Sequence, residues 1–213
     1  MNSQFQILIS DNHKKRVEEY ERQQEEYEKE EMQKYYENTG VPEKFYKKTI
    51  DSYVAQTEEE KRNKAAIIGF KAKPGNKILL LCGANGNGKT HLACAVLRDT
   101  GGVYTTASKI CIEYESATSY HAARTREELL LCLSKCRMLV IDECGKYTLN
   151  PELEKFLISQ ILMARYENDR PTILITNENK KKYIEFLGKS VFDRLLDSCT
   201  TLDFTGKSKR GSL

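Results

Sequence analysis

The sequence predicts an α/β fold in which a parallel five-stranded sheet is sandwiched by helices. Three observations carry that expectation. Five short apolar segments have strand length, amphipathic helical stretches separate them, and a glycine-rich turn joins the first strand to the next helix. Strands that alternate with helices give parallel pairing, with both faces of the sheet covered. At 213 residues, the chain suits one sizeable α/β domain with an appendage.

The appendage comes first. Lys14 to Asn38 is almost wholly Glu, Lys, Arg, Gln and Tyr, which reads as one charged, exposed helix. Val17, Tyr20, Tyr27 and Tyr35 form a thin apolar seam, and Gln24 and Glu31 interrupt it, against a coiled coil. Two readings stay open: a solvated helix, or a docking helix for a partner protein. Gly40 and Pro42 end the segment. Aromatics follow at Phe45, Tyr46 and Tyr53, then an amphipathic helix around Glu58–Phe70 and a turn at Pro74-Gly75-Asn76. The strands are expected at Ile78–Cys82, Val103–Thr106, Met138–Ile141, Thr172–Thr176 and Thr201–Phe204. The helices between them are expected at His91–Leu97, Lys109–Tyr120, Thr125–Lys135 and Pro151–Asn168. The last opens on Asn150 as cap and Pro151 in the first turn, and Leu153, Phe156, Leu157, Ile161 and Ala164 make its buried stripe. This divides the chain into a charged helical extension (1–39), a core domain (40–210) and a short tail (211–213).

Composition narrows the class. Hydrophobic residues make up 39% and charged residues 31%, as in a soluble protein with a strongly charged surface. The net charge of +3 says little about nucleic acid. Seven cysteines sit mostly in apolar segments without zinc spacing, so they read as reduced core thiols. No stretch approaches the ~20 apolar residues of a membrane span, and no secretory leader is legible. A cytoplasmic location, away from membranes, is the expectation.

Chemistry enters where KILLLC runs into GANGNGKT, Gly83–Thr90. Gly83, Gly86 and Gly88 allow a tight turn whose N–H groups face inward at phosphate oxygens, with Ala84, Asn85 and Asn87 completing the cradle. The helix that begins near Lys89 adds its positive end, and His91 lies in its first turn. Lys89 reaches the β- and γ-phosphates, and the Thr90 hydroxyl ligates Mg²⁺. The pattern therefore implies ATP with magnesium. MLVIDE brings Asp142 and Glu143 to the carboxyl end of a buried strand, where ligands of open α/β sheets bind. Asp142 would hold the metal through its water shell, and Glu143 would orient or deprotonate the attacking water. TILITN places Asn177 beside them, to bond the γ-phosphate or that water. Arg194 lies on the amphipathic SVFDRLLD helix, and the tail is basic at Lys207, Lys209 and Arg210.

The combination GANGNGKTHLA, LVIDECGK, ILITNEN, SVFDRLLD and TGKSKR resembles the DnaC/IstB branch of AAA+ ATPases, which are P-loop NTPases. The similarity covers about Gly40 to Arg210 and includes the lead-in GVPEKFYKKTIDSY. It implies that Gly83, Gly88, Lys89 and Thr90 are the Walker A residues, Asp142 and Glu143 Walker B, and Asn177 sensor 1. By the same resemblance, Arg194 is the arginine finger that completes a neighbouring subunit's ATP site, so the chain would form a homo-oligomer. Arg210 sits at a sensor-2-like position, and no helical lid is expected at the carboxyl end. Loaders often begin with a folded helicase-docking domain, whereas here only the charged helix precedes Gly40.

The resemblance implies a loader that binds a replicative DNA helicase and single-stranded DNA. The alternatives are a helper ATPase that binds duplex DNA and a transposase, a small-molecule phosphotransferase, and a non-hydrolysing ATP-gated interaction module. Lys109, Tyr114, Tyr120, His121, Arg124 and Arg126 mix basic and aromatic side chains, as a face that tracks single strands would need. An ordinary solvated helical pair reads equally well.

Overall fold

A computed structural model describes residues 38–74, 78–117, 124–145, 149–188, 191, 193, 196–206, 208 and 209, with a few positions in the amino-terminal stretch. The chain divides into two compact units, 1–38 and 39–213. In the first, Arg16, Val17, Glu19, Tyr20, Arg22, Gln23 and Lys34 are helical and exposed, which suits a solvated and a docking helix alike. Tyr27 and Tyr35 of the expected seam, and Gln24 and Glu31 that interrupt it, lie outside the described residues.

The second unit runs α1 (Glu58–Ala72), β1 (Ile78–Cys82), α2 (Lys89–Thr100), β2 (Val103–Thr106), α3 (Ala107–Ser116), α4 (Arg126–Lys135), β3 (Leu139–Cys144), α5 (Pro151–Glu167), β4 (Thr172–Thr176), α6 (Lys180–Leu187) and β5 (Cys199–Asp203). The strands form one sheet in the order β2-β3-β4-β1-β5, and every pair is parallel. This is the expected α/β sandwich. Among the described residues no helix follows β5. β1 and β4 are buried at every position. Their side chains face helices on both sides of the sheet, hence the unbroken apolar runs ILLLC and TILIT.

Short polar residues set the helix starts. Thr57 and Glu60 form a capping box at α1, and Thr125 and Glu128 repeat it at α4. Thr106, Asn150 and Asn179 cap α3, α5 and α6 by accepting an N–H three residues on. The α6 helix was not anticipated, because KKKYIEFL carries its apolar residues on one turn only.

Two expectations are corrected. β3 continues past Ile141 through both carboxylates to Cys144. The buried face of α5 is also rotated: Leu157, Ile158, Ile161 and Leu162 are inside with Glu154 and Arg165, whereas Phe156 is 51% exposed. The sequence reading assigned the stripe to apolar residues alone, but two charged residues share this one. Arg165, only 1% exposed, donates to the carbonyls of Leu133 (2.7 Å), Cys136 (2.9 Å) and Pro171 (2.6 Å) and to Thr172 Oγ1 (2.8 Å). Its guanidinium thus satisfies carbonyls at the end of α4 that no helical N–H can reach. All seven cysteines are free; Cys82, Cys94, Cys111 and Cys144 are core residues, and Cys132 is exposed.

Candidate functional site

At the carboxyl ends of β1, β3 and β4 lies a cleft of about 340 Å³. Asn85–His91 form its floor, and Asp142, Glu143, Ile175 and Asn177 one wall. Gly83 and Gly86 have φ of 125° and 88°, where side chains are disfavoured. A Cβ on Gly83 would stand 2.2 Å from the Phe204 carbonyl oxygen, and one on Gly86 2.1 Å from Ser208 Oγ. These glycines therefore answer to the chain that packs behind the loop as well as to the turn itself. Asn87, buried, donates to the Phe204 carbonyl (2.9 Å), and the Lys209 N–H donates to the Gly86 carbonyl (2.9 Å). The tail after β5 is thereby strapped to the phosphate loop.

Lys89, 5% exposed, folds back to donate to the carbonyls of Gly83 (2.6 Å) and Ala84 (2.7 Å). The loop holds its own cation in place, an arrangement that phosphate oxygens can compete for. Thr90 stands one residue into α2, and its hydroxyl donates to Asp142 Oδ2 at 2.7 Å. The two are hard oxygen donors that face each other across the cleft, the kind of pair that suits Mg²⁺ carried with phosphate.

Successive residues of a regular strand face opposite sides of the sheet, yet Asp142 and Glu143 both line the cleft. A bulge explains it. Ile141 pairs with Leu174 and Cys144 with Thr176, so two residues of β3 stand against one of β4. Glu143 takes φ 59° and is exposed, while Asp142 is buried. The bulge is pinned from both sides. Thr176 Oγ1 donates to the Cys144 carbonyl (2.8 Å), and the Gly145 N–H donates to Oε1 of buried Glu154 (2.6 Å). The Glu143 N–H returns to Asp142 Oδ1 at 2.7 Å. Asn177 follows Thr176 and faces the same cleft.

The lead-in forms the opposite wall through Lys44, Phe45, Lys48 and Tyr53. His91 ties it down: Nε2 lies 2.9 Å from the Thr49 carbonyl, which can only accept, so Nε2 carries the proton. Burial, followed by the charges of Lys48, Lys209 and Lys64, outweighs the Thr49 carbonyl and lowers the His91 pKa, which keeps the ring neutral. Tyr53 donates to the Asn87 carbonyl (3.3 Å), and the Lys209 ammonium lies 4.1 Å from its ring centroid and 3.0 Å from Glu60 Oε1.

Of the residues singled out from the sequence, Asn85–His91, Asp142, Glu143 and Asn177 meet in the one cleft. Gly83 and Ala84 sit behind it, where they hold Lys89. Arg194 and Arg210 lie outside the described residues, as do Tyr120 and His121 of the basic-aromatic face. In that face, Arg126 covers the Tyr114 ring at 4.5 Å and bonds its carbonyl, and Lys109 pairs with Glu113 at 3.8 Å. Tyr104, Tyr53 and Lys209 were missed as site residues. Tyr104 left no signal of its own, since its place beside Asp142 depends on the pairing of β2 with β3.

The model of the IstB-like ATP binding protein family matches residues 12–212. The replicative helicase loader DnaC of Escherichia coli strain K12 is 35% identical over 121 residues, 54% of this chain and 49% of that protein. The putative ATP-binding protein of insertion sequence IS5376 from Geobacillus stearothermophilus is 29% identical over 177 residues, 78% of this chain and 68% of that one. The matched region thus spans about half the length of the Escherichia coli DnaC. The crystal structure of the DnaC helicase loader superposes with a TM-score of 0.67 at 22% identity, over 77% of this chain and all of that one, which is a likeness of fold.

Proposed function

The chain belongs to the family of IstB-like ATP-binding proteins, of the DnaC/IstB-like AAA+ type, and from that premise we propose that it loads a replicative DNA helicase onto single-stranded DNA in a cycle of Mg²⁺-dependent ATP hydrolysis. The observation that carries the ATPase part is the bulge in β3, which brings Asp142 and Glu143 to one side, opposite Thr90 and Lys89. In this reading Lys89 leaves the loop carbonyls for the β- and γ-phosphates, and the loop N–H groups cradle them. Thr90 and Asp142 hold Mg²⁺, which supplies charge neutralisation on the phosphates. Glu143 accepts the proton of the attacking water, and Asn177 fixes that water or the γ-phosphate. Lys209, already beside the loop, neighbours the sensor-2-like Arg210.

The loader part rests on the 35% identity to DnaC. The likeness to the IS5376 protein over 78% of this chain supports a second reading, a transposase helper acting on duplex DNA. Purification of the tagged chain with ATP separates them, since co-purification of a helicase supports the first and of a transposase the second. ATP turnover stimulated by single strands, and not by duplex, points the same way as a helicase.

Arg194 is assigned to the neighbouring subunit's site. Arg194→Ala should bind ATP and hydrolyse it poorly, and mixing it with Lys89→Ala protein should restore turnover that rises with concentration. An Arg194→Ala variant with full activity would leave no trans role.

A further inference from the structure

Asp142 is held from three directions. The Glu143 N–H takes Oδ1, while Oδ2 accepts both the Thr90 hydroxyl at 2.7 Å and the Tyr104 hydroxyl at 3.0 Å. Tyr104 lies on β2, paired with Val140 two residues before Asp142, so the two side chains are diagonal neighbours on one face of the sheet. Tyr104 is buried.

We propose that Tyr104 is a positioning residue of the metal site, holding the Asp142 carboxylate by a hydroxyl from the neighbouring strand, independent of the phosphate loop that precedes Thr90. The proposal rests on Asp142 serving the metal as set out above. A hydroxyl has one hydrogen to donate and two lone pairs, so Thr90 can keep its bond to Asp142 while a lone pair faces Mg²⁺. The Tyr104 contact comes from another strand and needs no rearrangement. A phenol keeps its proton throughout the neutral range, so the Tyr104 hydroxyl remains a donor there. With two hydroxyls on Oδ2 and one N–H on Oδ1, the carboxylate is left with a lone pair on Oδ1 for the cation's water shell. Partners that orient a metal's ligands in this way typically contribute 10–100-fold in metal affinity.

The test uses the full chain with a non-hydrolysable ATP analogue and Mn²⁺, followed by the electron paramagnetic resonance signal of free Mn²⁺. Tyr104→Phe removes one oxygen atom and keeps the ring. It should weaken Mn²⁺ binding by about 10–100-fold, while the analogue binds unchanged in EDTA. Asp142→Asn, run in parallel, should weaken Mn²⁺ at least as much. If Asp142→Asn loses Mn²⁺ and Tyr104→Phe binds it as the parent does, with or without a lower melting temperature, Tyr104 is only a packing residue and the proposal falls. If Asp142→Asn keeps Mn²⁺ as well, the metal role of Asp142 fails, and the proposal goes with it.

Discussion

Two buried cations stand at opposite ends of the same sheet, Lys89 at the carboxyl ends of the strands and Arg165 at the amino ends of β3 and β4. Both donate to backbone carbonyls. They differ in whose carbonyls those are. Arg165 bonds carbonyls from α4, the turn before β3 and the turn before β4, so three parts of the chain depend on it. The carbonyls of Gly83 and Ala84 belong to the loop that Lys89 itself follows. A cation that joins distant segments is fastened for good, whereas one held by its own loop can be given up to a ligand at little cost. Burial alone does not separate a structural charge from a functional one, but the ownership of its partners does.

The comparison can be broken by variants at each end. The largest effect is expected at the carboxyl end: Glu143→Gln should lower ATP turnover by roughly 10²–10⁴ with affinity and melting temperature nearly unchanged. Steady-state kinetics with a binding titration checks it. Lys89→Ala should weaken ATP binding by on the order of 10²–10³-fold, the range for truncating one partner of a desolvated charge pair. Its urea midpoint should barely move. At the amino end the pattern should invert. Arg165→Met leaves buried carbonyls unpaired and should cost about 3–5 kcal/mol in urea unfolding, while the folded fraction still binds ATP. If Arg165→Met were neutral in stability, the contrast between the two cations would be lost.

The smallest effect is a pH dependence at the edge of the cleft. Burial alone would raise the pKa of Glu60, but the Gln56 N–H, Lys209 and the Thr57 N–H outweigh it and the value falls below that of a free carboxylate. A carboxyl group lowered by folding adds stability above its unfolded pKa, near 4.3, and loses it as pH falls through the lower folded value. The parent chain should therefore lose more stability than Glu60→Gln on acidification below about pH 4.5. Parallel curves for the two would remove Glu60 from the acid response.

How far the sequence could be read follows from where each feature is encoded. The phosphate loop was legible because its conformation is local, each turn demanding a glycine at a fixed offset. β1 and β4 were legible for a similar reason, since burial at every position leaves unbroken apolar runs, whereas β5, partly exposed, runs over Cys199–Asp203 and not over the expected Thr201–Phe204. The bulge was not, because it is a property of register between β3 and β4, and neither strand alone records it. Tyr104 escaped for the same cause: its partner is set by which strands lie side by side. Phe156 was misplaced on α5 because an apolar tally cannot foresee that Glu154 and Arg165 each have buried partners waiting. The assignment of Arg194 rests on resemblance alone.

The left-handed turn at Glu143 has a consequence for how this chain can change over generations. A residue other than glycine at positive φ costs roughly 1–3 kcal/mol when the surroundings impose it. Asp169, at φ 52° in the turn after α5, carries the same cost and does not line the phosphate-loop cleft. Selection for stability alone is free to replace Asp169 with Gly or Asn. At position 143 the same replacements relax the backbone and discard the carboxylate, so with Glu143 in the role proposed above every gain in robustness there is a loss of turnover. Random libraries screened for thermal survival should drift away from Glu at 143, and libraries screened for ATP consumption should return to it.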